Sequence, residues 1–296
     1  MKIKASAPGK LMLFGEHAVV YNYPCIVTTV SPRVYVEIEK ASHPLKIIAP
    51  NVKNVHFIEE TVKKFKTQYG VSDQLLIKTS SDFSSQYGFG SSSAVTVATI
   101  AALCKLTGVA LSNQDIFDLG YQVTLSVQGV GSGFDVAAAI YGQTLYFVTG
   151  GRVIEPLSIQ ALPLVIGYSG VKASTPTMVK NLKADFKIFE QIKKLVEEAK
   201  KNLLHDNYEN LGKLMTNNQR LLRQLGVSTE KLEQMCAAAI DGGAYGAKLS
   251  GAGGGDCMIA LVPQNKIKQV EISITKVGGE IIRVKNNTQG VQLETT

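Results

Sequence analysis

Residues 84–97 read SSQYGFGSSSAVTV, an uncharged stretch rich in serine and glycine. Gly88 and Gly90 lead into Ser91, Ser92 and Ser93, and the small apolar segment SAVTVATIAALCKLTG follows at once. Glycine lets a backbone approach a ligand closely and adopt positive φ. A helix starting behind the loop presents unpaired N–H groups and partial positive charge at its first turn. That combination suits phosphate, and the serine hydroxyls can bond phosphate oxygen or ligate Mg²⁺. The loop lacks the lysine of GxxxxGK[ST], and Ser93 stands where GxGxxG needs its third glycine. On these residues alone, a serine-rich capped turn fits equally well.

Two further glycine loops change that balance. Residues 128–142, QGVGSGFDVAAAIYG, place Gly129, Gly131 and Gly133 just before Asp135. A carboxylate fixed beside such a loop can act as a general base or bind Mg²⁺. Taken singly, an aspartate capping the helix VAAAIYG is the better reading. Residues 248–262, KLSGAGGGDCMIALV, carry Gly251, Gly253, Gly254 and Gly255 ahead of an apolar run. Four glycines in five residues are costly in entropy, so a surface closing over a ligand is favoured over a simple turn.

The rest of the chain supplies the frame. Its 296 residues are 45% hydrophobic and 19% charged, enough to bury a core and too apolar for disorder. The formal net charge of +7 favours anionic partners in general. The lysines at 180–201 and 266–285 alternate with Glu and apolar residues and read as solvated faces, and no RNA-binding aromatic signature or zinc-finger spacing is present. Cys25, Cys104, Cys236 and Cys257 form no CxxC pair and suit free thiols in a reducing compartment. No run approaches the roughly 20 apolar residues of a membrane span, and Gly15, Glu16 and His17 interrupt the N-terminal apolar run. A cytoplasmic location is therefore expected.

The β-branched runs CIVTTV and RVYVEIEK, with IKASAPGKLMLF, QLLIKTSS and LPLVIGYSG, predict strands; TLYFVTGGRVIEPL predicts a hairpin. Helical spacing marks HFIEETVKKFKTQY, ending at Gly70, and SNQDIFDLGYQVTLSVQG, capped by Ser112 or Asn113. Three amphipathic helices follow between residues 185 and 243, the last capped by Ser228 or Thr229. Residues 244–262 read as a loop running into a strand, then a helical or mixed element, then the strand EIIRVK. The fold class is α+β, in two lobes with a seam near 160–175.

Joined to the N-terminal APGKLMLFGEHAVVY (7–21), the loops GFGSSSA (88–94) and KLSGAGGGD (248–256) resemble, in order, the three motifs of the GHMP kinases. The resemblance spans essentially the whole chain. It implies an ATP-binding N-terminal lobe like ribosomal protein S5 domain 2 (1–165) and a ferredoxin-like C-terminal lobe (166–296). It implies Asp135 and Lys10 as the catalytic pair, with Glu16, His17 and Thr175 on the substrate side. Gly88, Gly90, Ser91, Ser92, Ser93, Gly251, Gly253 and Gly254 would surround the nucleotide, with Ser92 also ligating Mg²⁺. Within the family the N-terminal motif is most similar to mevalonate kinases, which implies ATP-dependent phosphorylation of the 5-hydroxyl of mevalonate; a homodimer is compatible with this.

Two departures stand out. Thr124 occupies the position where mevalonate kinases usually carry a Mg²⁺-binding glutamate, leaving Asp135 or water to replace it. VGSGFDVAAAIYG is more similar to phosphomevalonate kinases. A substrate phosphate would sit poorly beside Glu16 and would need extra cations. Lys172 is the one further candidate, expected to serve a carboxylate or the nucleotide phosphates. Other small-molecule kinases of this fold remain the alternative. An RNA-binding module would need neither Asp135 nor the third loop.

Overall fold

The computed structural model describes residues 2–50 and 55–295. Strand β1 (Lys2–Phe14) pairs antiparallel with β2 (Pro24–Lys40). The two runs expected as separate strands are thus one strand of 17 residues. It survives Ser31 and Pro32 because the register shifts there: Pro8 opposes Arg33, and Gly9 opposes Val30. A bulge is where a sheet tolerates proline. The loose backbone is used elsewhere, since Ser31 donates its N–H to the Lys285 carbonyl at 2.8 Å.

A short strand β3 (Lys46–Ile48) and helix α1 (His56–Tyr69) precede β4 (Leu75–Ser81), which lies against β2. Helices α2 (Ser91–Thr107), α3 (Asn113–Gln128) and α4 (Phe134–Tyr141) follow, then the hairpin β5 (Thr144–Val148) and β6 (Val153–Leu157). Ser112 caps α3 in a full capping box with Asp115. Helix α2 packs on β1 and β2 with small residues on every side, and Ala94, Val97, Ala98 and Ile100 are fully buried. Its composition lacks a polar face because most of its surface is covered.

The second sheet has the order β10-β7-β9-β8, from β7 (Leu164–Tyr168), β8 (Gly246–Ser250), β9 (Cys257–Leu261) and β10 (Glu280–Ile282). Between β7 and β8 run α5 (Thr175–Asn181), α6 (Phe186–Leu204), α7 (Tyr208–Gln224) and α8 (Glu230–Asp241); α9 (Ile267–Lys276) joins β9 to β10. Thr229, not Ser228, caps α8 by accepting from Leu232 N–H. The stretch expected as one loop leading into a strand is a hairpin: strand β8 comes first, and the glycines form its turn. Strand β9 is buried on both faces. Cys257, Ile259 and Leu261 belong to a core shared with the first sheet, while Met258 and Ala260 face a second core with Leu249, Met235 and Ile274. This is the period of two expected of a strand between two layers.

The chain then returns to the first sheet. Strand β11 (Gln292–Leu293) pairs with β1. Buried Asn286 brackets Leu162, accepting its N–H at 2.8 Å and donating to its carbonyl at 2.7 Å. Asn286→Ala leaves two buried backbone groups without partners, each worth about 1–3 kcal/mol. It is expected to lower the urea midpoint by the equivalent of about 2 kcal/mol or more, measured by far-UV circular dichroism.

Candidate active site

The three glycine loops meet at one cleft of about 1080 Å³. Lys10 enters it from β1, a buried strand, so its position is fixed along its whole length. Its N–H donates to Phe89 O at 2.9 Å, and its Nζ donates to Gly88 O at 3.1 Å. The same Nζ lies 3.3 Å from Asp135 Oδ1 and 5.2 Å from the centre of the Phe134 ring. The charge pair expected from the resemblance is therefore formed, by two elements 125 residues apart in sequence.

Asp135 does not cap its helix. Gly133 is the N-cap, at φ 92°, and Asp135 sits in the first turn of α4 with its side chain turned to Lys10. Its Oδ1 is buried and has no hydrogen-bond partner, because Lys10 approaches within ion-pair distance but off the hydrogen-bonding direction. Gly90 is the N-cap of α2, at φ 75°, and Ser91, Ser92 and Ser93 line the cleft at that helix's first turn. A β-carbon at Gly90 would lie 3.0 Å from Lys10 Cε. The glycine is thus needed both for its dihedral and for the passage of the lysine. Thr124 also faces the cleft, and its hydroxyl donates to Gly120 O of its own helix at 3.0 Å.

Glu16 and His17 lie at the end of β1, at the cleft wall. Glu16 is almost wholly buried and forms an ion pair with Lys248 of β8, which has no exposed side-chain surface. Burial pushes the Lys248 ammonium below its ordinary range, and the Glu16 carboxylate opposes that shift. Asn218 of α7 donates to the second Glu16 oxygen at 3.2 Å. His17 Nε2 donates to Ala252 O at 2.8 Å, which leaves Nδ1 as a buried acceptor without a partner. Thr175 opens α5, and its side chain lies outside the described residues.

The third loop is split in function. Gly251 lines the cleft at φ 103°, with nothing near its missing β-carbon. Gly253 and Gly254 face inward: a β-carbon would strike Val227 O in one case and Met178 Sδ in the other. Gly254 N–H is already bound to Val227 O at 2.8 Å. Sequence reasoning missed Lys248, Asn218 and Asp256. Lys248 falls in a stretch that reads as a loop, and nothing local to it signals a carboxylate 232 residues away. Asp256, last residue of the third motif, is buried and lies beside Gly88 of the first loop.

Models of the GHMP kinase N-terminal and C-terminal domains match residues 56–143 and 199–278. The chain belongs to the GHMP kinase family. The mevalonate kinase of Thermococcus gammatolerans is 37% identical, over 99% of each chain. That of Pyrococcus horikoshii is 36% identical, over 99% of this chain and 98% of its own. Among solved structures, L. major mevalonate kinase in complex with R-mevalonate superposes with a TM-score of 0.81 at 25% identity, covering 97% of this chain and 96% of that one. In this GHMP kinase the two-lobed α+β fold is thus the family's.

Two consequences for stability follow from the buried groups. Lys248→Met strands the Glu16 charge, a change that costs about 3–5 kcal/mol when a buried pair is broken on one side. The Glu16→Gln/Lys248→Met double variant is expected to recover most of that loss in chemical denaturation. His17 acts through pH. Burial pushes its imidazole below the ordinary value of about 6.5, and the bond to Ala252 offsets this only in part. Below that pH the unfolded chain takes up a proton that the folded chain still refuses, so stability falls with pH until the folded pKa is passed. His17→Gln is expected to flatten the dependence of melting temperature on pH below about 6.5.

Proposed function

We propose that this kinase transfers the γ-phosphoryl group of ATP to the 5-hydroxyl of mevalonate. The observation that carries the reading is Lys10 Nζ at 3.3 Å from Asp135 Oδ1, in a cleft walled by all three glycine loops. The full-length likeness to mevalonate kinases supports the substrate.

Asp135 orients the 5-hydroxyl and accepts its proton as the oxygen bonds to the γ-phosphorus and the bond to ADP breaks. Lys10 holds Asp135 in place, and contributes positive charge near the transferring group. Backbone N–H groups at the first turn of α2, with the Ser91, Ser92 and Ser93 hydroxyls, hold the triphosphate. Phosphoryl transfer demands such positioning and charge neutralisation more than covalent chemistry.

The donor set fits Mg²⁺. A carboxylate oxygen, Asp135 Oδ1, is buried without a hydrogen-bond partner, and the Ser92 hydroxyl faces the same cleft. One or two protein oxygens completed by phosphates and water are what Mg²⁺ usually takes. Thr124 brings no charge, so Asp135 and Ser92 would hold the ion. Mg²⁺ held there would supply positive charge to the transferring phosphates. Residues 1–165, with β11 returned to their sheet, serve as the nucleotide lobe, and the rest of 166–296 as the lobe that completes the cleft.

No helix among the described residues is long and apolar enough to cross a membrane, and all four cysteines are free. With that thiol content, a reducing, cytoplasmic compartment suits the enzyme.

Asp135→Asn is expected to lower kcat by roughly two orders of magnitude or more, with the affinity for metal-free ATP little changed; activity within a few-fold of wild type would remove Asp135 from the reaction. Gly90→Val is expected to abolish nucleotide binding. The substrate is tested by kcat/KM for mevalonate and 5-phosphomevalonate at equal Mg²⁺-ATP. Mevalonate should win, and the reverse order overturns the assignment.

A further inference from the structure

A second buried carboxylate stands across the first glycine loop from Lys10. Asp256 follows the third glycine loop at φ 56° and is 4% exposed. It accepts from Lys172 Nζ at 3.1 and 3.3 Å through its two oxygens, and from Ala173 N–H at 3.0 Å. Its own backbone closes the arrangement, donating to Val171 O at 2.7 Å and accepting from Ser169 N–H at 2.9 Å. Asp256 is therefore held at four points on one short segment of chain. Lys172 is not buried in return: its side chain is 43% exposed, and it lines the cleft.

Position relative to Gly88 gives the pair its meaning. A β-carbon at Gly88 would lie 2.5 Å from Asp256 Oδ2, and Gly88 O accepts from Lys10 Nζ. The first glycine loop thus runs between two ion pairs, Lys10–Asp135 and Lys172–Asp256. An ammonium with three donors, anchored by a buried carboxylate and open on its other side, is poised for an anion. Anchoring also removes part of the side-chain entropy that a free lysine would lose on binding.

We propose that Lys172 binds a terminal phosphate of the nucleotide, and that Asp256 is the positioning residue that aims it. The inference rests on the ATP-dependent reading above. The nucleotide is chosen over the carboxylate of the second substrate because Asp256 packs against the loop that leads into the α2 N-terminus. Lys172 and Lys10 would then approach the polyphosphate from the two lobes, so that the cleft is complete only when both lobes are in place.

The test is equilibrium binding of Mg²⁺-ATP, ADP and AMP to wild type, Lys172→Met, Lys172→Arg, Asp256→Asn and the Lys172→Met/Asp256→Asn double variant, with melting temperatures alongside. For Lys172→Met the expected result is a loss of roughly tenfold in ATP affinity, with AMP affinity unchanged. Lys172→Arg should recover most of it. Asp256→Asn should weaken ATP in the wild-type background and add nothing in the Lys172→Met background. A merely structural role would weaken ATP and AMP alike, and that result overturns the proposal. So does unchanged ATP affinity with a raised KM for mevalonate, which would give Lys172 to the other substrate. If Lys172→Met does not fold, Lys172→Gln carries the same comparison. Failure of wild type to bind ATP at all would instead sink the kinase reading on which the proposal stands.

Discussion

The buried Glu16–Lys248 ion pair is the interaction on which the architecture of the cleft depends. It joins the end of β1 to β8, one strand from each sheet. Around it the two strands are fastened again. Ser250 Oγ accepts from Met12 N–H and donates to Met12 O, both at 3.0 Å, and His17 reaches Ala252. Two charges this deeply buried attract each other strongly but lose more hydration than a surface pair does. Such a pair contributes little net stability against an apolar replacement. Its use lies in geometry: among the described residues Glu16 is the one carboxylate that pairs with Lys248, which favours one register of β1 against β8. Since β1 carries Lys10 and β8 leads into the third loop, that register also sets the distance between Lys10 and the Gly251 side of the cleft.

From that seam the network reaches the surface without a break. Asn218 donates to Glu16, and its neighbour Gln219 accepts from Leu249 N–H at 2.8 Å while donating to Glu233 at 2.7 Å. Arg223 closes the chain on the other Glu233 oxygen at 2.5 Å. A buried polar network is stable only when its members are satisfied. Here one acceptor, Asn218 Oδ1, is left over. Helix α7 thus supports the cleft from behind, through polar side chains on a helix face that its amphipathic pattern assigns to packing.

Much of the frame was legible because it is local. Helices α1 and α3 announce themselves by spacing and by caps at Gly70 and Ser112, and the three glycine loops by composition. What escaped is long-range. Pro32 argues against a continuous β2 until its partner strand shows the register shift that absorbs it. Strand β8 was hidden because its five residues, GAKLS, include a lysine that only a buried partner makes acceptable. Asp135 reads from sequence as either cap or catalytic group; the structure puts Gly133 at the N-cap and turns the Asp135 side chain to Lys10 of β1. Glu16 was expected to face substrate; it lies at the cleft wall, but its two oxygens are already engaged by Lys248 and Asn218. It shapes the site from beneath rather than offering a free carboxylate to it.

The third loop shows why glycine counts alone overstate ligand contact. Backbone segments pack closely only where no β-carbon intervenes, and positive φ turns the chain sharply enough to bring them together. Gly253 and Gly255 meet the carbonyls of Val227 and Val171, and Gly254 meets Met178. These three glycines weld the loop to the turn after α7 and to the segment between β7 and α5. Gly251, with open space before it, is the glycine left to face the cleft. The welded part fixes Asp256, which in turn abuts Gly88. The motif thus behaves as a rigid strut with one free edge. Because a β-carbon at Gly88 would already strike Asp256, the third loop has little space to shift toward the first without displacing it. The two glycine loops thus abut at a carboxylate and a missing methyl group.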